Sequence, residues 1–258
     1  MITHSTMLHC YELDDIHLQN NLDFTLNKNN TAAWLFCIDD FDLMPNELLQ
    51  LLSTEEKNKM LRYRQQEDRC RFLFAHAAKR ILCNAYTGIG NTELEFAESQ
   101  NKKPYLVDSE LKFNLSHSGK WIALIFQNGN DCGIDTEKIR PDFDFDFFAS
   151  KNYHLRERQS LSNNDGSQSR KLFFKYWARK EAWLKITGMG VFGGLPFIDT
   201  SDGNNFITIP VNEVNVSIAS QYYLHSFEYE NNYFCLCTTF AESNINIMNL
   251  NLLLKEYY

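Results

Sequence analysis

The apolar stretch ending in Gly133-Ile134-Asp135-Thr136-Glu137 constrains this chain most, because it sets two carboxylates two residues apart on a strand. Side chains alternate along a strand, so Asp135 and Glu137 share one face while Thr136 points to the other. About forty residues later, Trp177-Ala178-Arg179-Lys180-Glu181-Ala182-Trp183-Leu184-Lys185 reads as a helix. Glu181 and Lys185 stand one turn apart there, acid first, the favourable order for an i, i+4 pair. If the helix crosses the strand, three carboxylates and an ammonium converge, and a hard cation could sit among them. Taken singly, each segment is also what a solvated sheet face or an exposed helix presents, and such a helix pair is worth only about 0.3 kcal/mol.

The charge distribution adds a second constraint. The 258 residues carry a net charge of −8, which argues against generic nucleic-acid binding. Positive charge is nevertheless concentrated. Lys57, Lys59, Arg62, Arg64, Arg69, Arg71, Lys79 and Arg80 face only Glu67 and Asp68, a net of +6 between 57 and 80, and residues 170–185 carry +5, leaving −19 elsewhere. Two basic helices in an acidic protein point to a compact polyanion rather than a long one; ordinary solvated helices are the alternative.

With 44% hydrophobic and 14% aromatic residues, the chain can bury a large core. Residues 32–38 read as a buried strand. Ser53-Thr54-Glu55-Glu56 is a capping box opening a helix to about Tyr63, and a second helix continues from Phe72 through Leu82 until Gly88. Residues 113–117 and 121–126 form a hairpin around Ser118-Gly119. Residues 161–169 read as a flexible loop, 172–186 as the helix already described, and 206–211, 214–218, 222–229 and 233–240 as successive antiparallel strands. Helices followed by strands occur twice, an α+β pattern, with no clear sequence repeat between the halves. The seven cysteines are scattered without a Cys-x-x-Cys pair, which predicts reduced, mostly buried thiols. No run of eighteen apolar residues exists and the start lacks the regions of a secretory signal, so a cytoplasmic protein without membrane partners is expected.

Several chemistries are excluded. There is no Gly-x-x-x-x-Gly-Lys-Ser/Thr loop, no Gly-x-Gly-x-x-Gly after a strand, no His-Glu-x-x-His and no Gly-x-Ser-x-Gly elbow. Ser116 and His117 are adjacent on a strand and face opposite ways, so they cannot act as nucleophile and base.

Four segments in order, Lys103-Pro104, Phe113-Asn114-Leu115-Ser116-His117-Ser118-Gly119, Gly133-Ile134-Asp135-Thr136-Glu137 and the Trp177 to Lys185 helix with Gly188 and Gly190, resemble the 4′-phosphopantetheinyl transferases of the surfactin type. The resemblance runs from about Ser53 to Gly190, with a motif-free extension to about Phe240. It implies an α+β fold: a pseudo-twofold pair of similar subdomains, each a small antiparallel sheet packed on helices, with coenzyme A in the cleft between them. On this reading residues 1–130 form the half carrying phosphate contacts and 131–258 the half carrying the metal ligands, in a monomer.

Carried over by position, the resemblance assigns Asp135, Glu137 and Glu181 to Mg²⁺. It assigns Lys59, Arg71, Lys103, Ser116 and His117 to the coenzyme A phosphates, and Lys185 to the pyrophosphate. Lys102 departs from it, standing where a glycine commonly precedes Lys-Pro, and Glu56 stands near a position usually held by a lysine. The implied reaction is transfer of phosphopantetheine to a serine of an apo acyl or peptidyl carrier protein, with Glu181 and Lys185 catalytic and Glu181 the base. The carrier is expected to be acidic and to meet residues 161–169, Arg170 and Lys171. A non-catalytic coenzyme A-binding protein on the same fold is the rival reading, and another Mg²⁺-dependent phosphotransferase a weaker one.

Overall fold

The computed structural model describes residues 2–14, 16–20, 22–28, 30–41, 44–190, 194–211, 218–241 and 245–255. In chain order its elements are β1 (Ile2–Glu12), β2 (Thr31–Cys37), α1 (Asn46–Leu51), α2 (Thr54–Met60), α3 (Gln66–Thr87), β3 (Phe96–Glu98), β4 (Pro104–Leu106), β5 (Leu111–Ser118), β6 (Trp121–Asn128), β7 (Cys132–Lys138), α4 (Asp146–Asn152), α5 (Leu155–Ser162), α6 (Gly166–Thr187), β8 (Gly203–Val211), β9 (Gln221–Tyr229), β10 (Asn232–Thr238), β11 (Ile245–Asn249) and α7 (Asn251–Lys255). The expected α+β class, small sheets packed on helices, is what these elements build.

The chain separates into two compact units whose sequences interleave. One comprises Met1–Ile16, Gln100–Lys103 and Asn130–Ala241; the other comprises His17–Ser99, Pro104–Gly129 and Glu242–Tyr258. A single division after residue 130 therefore needs correction at both ends of the chain, because two strands pair far from their sequence neighbours. In the first unit the sheet order is β7-β10-β9-β1-β8. There β1 runs antiparallel to β8, from Ile2 opposite Val211 to Cys10 opposite Gly203, and parallel to β9, from Met7 opposite Gln221 to Glu12 opposite Ser226. In the second unit the order is β11-β2-β6-β5, with β11 parallel to β2. Both of these sheets are thus mixed, and the expected antiparallel succession of strands from 206 to 240 is interrupted, because β1 lies between β8 and β9. The expected strand at 214–218 lies, apart from Ile218, outside the described residues.

Each of these two sheets buries one face under a long helix, and β3 and β4 form a separate two-stranded sheet. In the first unit Phe173, Trp183 and Leu184 of α6 pack with Leu8, Tyr222, Leu224, Cys235 and Cys237 of the sheet. In the second, Phe72, Leu73, Phe74 and Leu82 of α3 pack with Trp34, Phe36, Leu124 and Phe126. Both helices end on a glycine in the left-handed region, Gly88 at φ +73° and Gly188 at φ +69°, the conformation that glycine adopts without a Cβ clash. The capping box is formed: Glu56 N–H donates to Ser53 Oγ at 3.1 Å, and Ser53 N–H to Glu56 Oε2 at 3.0 Å. The cysteines are all free, and only Cys70 is less than fully buried.

Residues 161–169 are not one flexible loop. Helix α5 runs to Ser162 and α6 begins at Gly166, while buried Ser169 donates from Oγ to Leu161 O at 2.9 Å. Polar, turn-forming residues are tolerated in exposed terminal turns of helices, which is where these lie.

The positive charge of α6 is largely internal. Lys175, Arg179 and Lys180 are 2%, 0% and 0% exposed. Lys175 Nζ reaches Glu12 Oε2 at 2.5 Å and Asp202 Oδ2 at 2.9 Å, Arg179 donates to Asp202 Oδ1, Thr200 O and Ser226 Oγ, and Lys180 Nζ pairs with buried Glu157 at 2.9 Å. These three cations hold the helix to its own unit, so they are withdrawn from the proposed polyanion site.

Candidate active site

Helix α6 crosses β7 at Gly133, closer than any other residue would permit. A Cβ at Gly133 would lie 2.3 Å from Ala182 O and 3.0 Å from Ile186 N, so only a hydrogen fits. Asp135 stands two residues along the same strand face, and Trp177, Glu181 and Lys185, spaced by four, form one stripe of the helix. The crossing anticipated from the two segments is therefore made, with backbone against backbone.

The ammonium does not settle on its own helix. Lys185 Nζ donates to Asp135 Oδ1 at 2.7 Å and to Ile134 O at 3.1 Å. Asp135 is 3% exposed, and a buried carboxylate gains more from a counter-ion than the less buried Glu181 does. The expected Glu181–Lys185 pair thus gives way to a pairing between helix and strand.

The three acids share one electrostatic field. Burial pushes Glu137 up to about 7, the charge on Asp135 adds to this and Glu181 contributes, while Lys185 and a hydrogen bond from the Trp177 side chain pull it down. Glu181 is also pushed up to about 7, by burial first and then by Asp135, against the pull of Lys185. Crowded carboxylates that resist ionising together are a donor set a hard divalent cation would relieve, so the chemistry fits Mg²⁺. As they stand, no three His, Cys, Asp or Glu side chains among the described residues are already gathered at metal-ligand spacing, and Lys185 occupies Asp135 Oδ1. Thr136 faces away, accepting from Asn232 Nδ2 at 3.2 Å, in keeping with its exclusion from the ligand set.

Lys103 belongs to the same unit. Its Nζ donates to Ile186 O at 3.2 Å and pairs with Asp131 Oδ1 at 2.9 Å. A cation at the last carbonyls of α6 satisfies orphan acceptors and meets the negative end of the helix dipole. Lys102, just before it, has φ +58°. The departure noted in the sequence now has a physical meaning: this lysine adopts a conformation that costs a non-glycine residue about 1 kcal/mol.

The other unit holds Lys59, Arg71, Ser116 and His117. Arg71 Nε donates to Gly119 O at 3.2 Å, which ties α3 to the turn just after His117, and its Nη1 pairs with Asp68 at 2.7 Å. Lys59 and His117 are exposed, whereas Ser116 is 7% exposed and on the opposite face of β5 from His117. Lys79 and Arg80, counted in the basic segment, are buried and share one counter-ion, Glu56, which accepts from Lys79 Nζ at 2.7 Å, Arg80 Nε at 2.6 Å and His76 Nδ1 at 3.0 Å. Glu56, the acid where a lysine was looked for, is thus the centre of an internal network, and the exposed charge of this segment is smaller than the sequence count.

Three contributors escaped the sequence reading. Trp177 donates to Glu137, Asp131 pairs with Lys103, and Gly133 sets the approach of the helix. The i, i+4 spacing of Trp177 to Glu181 was the available signal for the first; nothing in the sequence marked Asp131.

Family models match both parts of the chain: residues 131–237 that of the 4′-phosphopantetheinyl transferase superfamily, and residues 40–128 that of the 4′-phosphopantetheinyl transferase N-terminal region. Among curated proteins, the chain is 34% identical over 165 residues to slr0495 of Synechocystis sp., covering 63% of this chain and 66% of that protein. It is 31% identical over 173 residues to 4′-phosphopantetheinyl transferase HetI of Nostoc sp., covering 66% of this chain and 73% of HetI. To 4′-phosphopantetheinyl transferase Sfp of Bacillus subtilis it is 26% identical over 144 residues, covering 55% and 63%.

Proposed function

The chain belongs to the 4′-phosphopantetheinyl transferase superfamily, and from that premise we propose that it transfers phosphopantetheine from coenzyme A to a serine of an apo acyl or peptidyl carrier protein. The serine oxygen forms a bond to the β-phosphorus as the bond from that phosphorus to the bridging oxygen breaks, and adenosine 3′,5′-bisphosphate leaves. The observation that carries the reading is the convergence of Asp135, Glu137, Glu181 and Lys185 where α6 crosses β7 at Gly133.

Phosphoryl transfer asks a protein mainly to position reactants and offset charge. Asp135, Glu137 and Glu181 would hold Mg²⁺, which when bound supplies Lewis-acid stabilisation of the pyrophosphate. Lys185 contributes a fixed positive charge beside the same oxygens. Lys59, Arg71, Lys103, Ser116 and His117 bind the phosphates of coenzyme A, and Glu181, placed on the helix stripe nearest the strand acids, takes the serine proton.

The test incubates the full chain with coenzyme A, Mg²⁺ and a panel of apo acyl, peptidyl and aryl carrier proteins, and records intact carrier masses. A gain of one phosphopantetheine on at least one carrier is expected, falling at least about a hundredfold in rate for Glu181→Gln and Asp135→Asn. No gain across the panel, with coenzyme A still bound, overturns the reading in favour of a non-catalytic coenzyme A-binding protein.

A further inference from the structure

A concave site lies in the first unit and shares no residue with the carboxylate site. It is a cavity of about 390 Å³ lined by the start of α5, the turn at Pro196 and Phe197, and strand β8. Three large apolar side chains from these separate elements converge on it although they face solvent: Leu155 is 56% exposed, Phe197 53% and Phe206 69%. Single exposed apolar residues are ordinary, but three meeting around one cavity form a patch of the kind that binds ligands.

The walls are held by buried polar groups. Lys180 Nζ donates to Leu195 O at 3.1 Å and to Ile198 O, fixing the turn that carries Phe197 from both sides. Glu157, buried completely, accepts from Thr200 N at 2.8 Å and Thr200 Oγ1 at 2.7 Å while pairing with Lys180, and so links α5 to the segment leading into β8. Arg156 Nη1 reaches Asn205 Oδ1 at 3.0 Å, next to Phe206. The floor is Tyr153, stacked on Phe173 at 5.1 Å with its hydroxyl donating to Phe173 O. A cavity braced in this way is open before any ligand arrives and needs little reorganisation to receive one.

Charge selects the ligand. Asp199 lines the cavity, but Arg156 answers it at 3.0 Å, and Glu157 is taken by Lys180. Arg158, exposed at the rim, has no ion-pair partner among the described residues and is the uncompensated charge of the site. We propose that the cavity binds an organic anion with an aryl or alkyl body and a carboxylate head, the body against Leu155, Phe197 and Phe206 and the head on Arg158. This assignment is independent of the transferase reading.

The test titrates the full chain with naphthalene-2-carboxylate and, separately, with 2-naphthylmethanol, by calorimetry. Saturable binding of the carboxylate with one site per chain is expected, with the alcohol at least about fivefold weaker for want of the guanidinium contact. Phe206→Ser and Arg158→Gln, both at exposed positions, should each weaken the carboxylate about tenfold with unchanged far-ultraviolet circular dichroism. Absence of saturable binding, equal affinity for acid and alcohol, or the same affinity in wild type and both variants would overturn the proposal.

Discussion

Lys185 Nζ lies 2.7 Å from Asp135 Oδ1, so a helix cation and a strand carboxylate fifty residues apart in sequence neutralise one another at the crossing of α6 and β7. Removing either partner alone leaves the other charge poorly compensated. Lys185→Met should lower the transfer rate at least about a hundredfold. It should also destabilise the chain, and adding Asp135→Asn should restore stability but not transfer. Urea unfolding of the two single variants and the double variant measures the coupling, expected at about 1–3 kcal/mol. Additive stability effects would contradict the pairing.

The approach at Gly133 can be tested with one methyl group. Gly133→Ala places a Cβ against the Ala182 carbonyl, and the helix must move. A cost of about 1–3 kcal/mol is expected from overpacking. Because the displacement separates Glu181 from Asp135, transfer should fall further than the lost stability accounts for. Folded Gly133→Ala protein with wild-type kcat would show that this spacing is not critical.

Lys102 offers a stabilising change. Its φ of +58° favours glycine, so Lys102→Gly should raise stability by about 0.5–1 kcal/mol after allowing for the greater freedom of glycine in the unfolded chain. Lys102→Ala keeps the strain and should be neutral. Denaturation midpoints of the two variants distinguish backbone from side chain, and equal shifts would argue against strain.

Glu56 links stability to pH. Burial raises its carboxyl, but the His76 hydrogen bond and the Lys79 charge outweigh burial and hold it well below its ordinary 4.5. A depressed carboxyl contributes stability above the unfolded value, and that contribution is lost as pH falls through the folded one. His76 is itself held below 6.5, chiefly by burial, so it too favours the unfolded state as pH drops beneath 6.5. Thermal stability should therefore fall in two stages on acidification. Glu56→Gln should cost about 3–5 kcal/mol at pH 7, since Lys79 and Arg80 stay buried without their counter-ion, and should flatten the stage below pH 4.5. Identical pH profiles for variant and wild type would contradict this.

The site was legible where chemistry follows from period. Two-residue spacing put Asp135 and Glu137 on one strand face, and four-residue spacing put Glu181 and Lys185 on one helix stripe. Partner choice was not legible, because Lys185 prefers a buried acid from a distant strand to its helical neighbour. The charge count failed for a related reason: Lys79, Arg80, Lys175, Arg179 and Lys180 are internal, and composition does not separate a buried cation from a solvated one. Strand β1 escaped because its run of Thr, His and Ser has no strong apolar alternation and its partner β8 lies about two hundred residues away. The start of α6 escaped because residues 166–168 are polar and exposed.

The interleaving of the chain has a consequence for synthesis on the ribosome. Strand β1 emerges first, yet both strands that flank it, β8 and β9, are made only after residue 202. Strand β2 gains β6 by residue 128, but its other neighbour, β11, is not complete until residue 249. At about 5–20 residues per second the stretch from residue 12 to residue 203 takes on the order of ten to forty seconds to translate. During that time β1 is an unpaired nascent segment open to wrong partners, and neither sheet can close before residue 238 is made. Closure of the two sheets is therefore timed by the synthesis of β10 and β11, and a nascent chain stalled at residue 200 would carry β1 with neither of its neighbours.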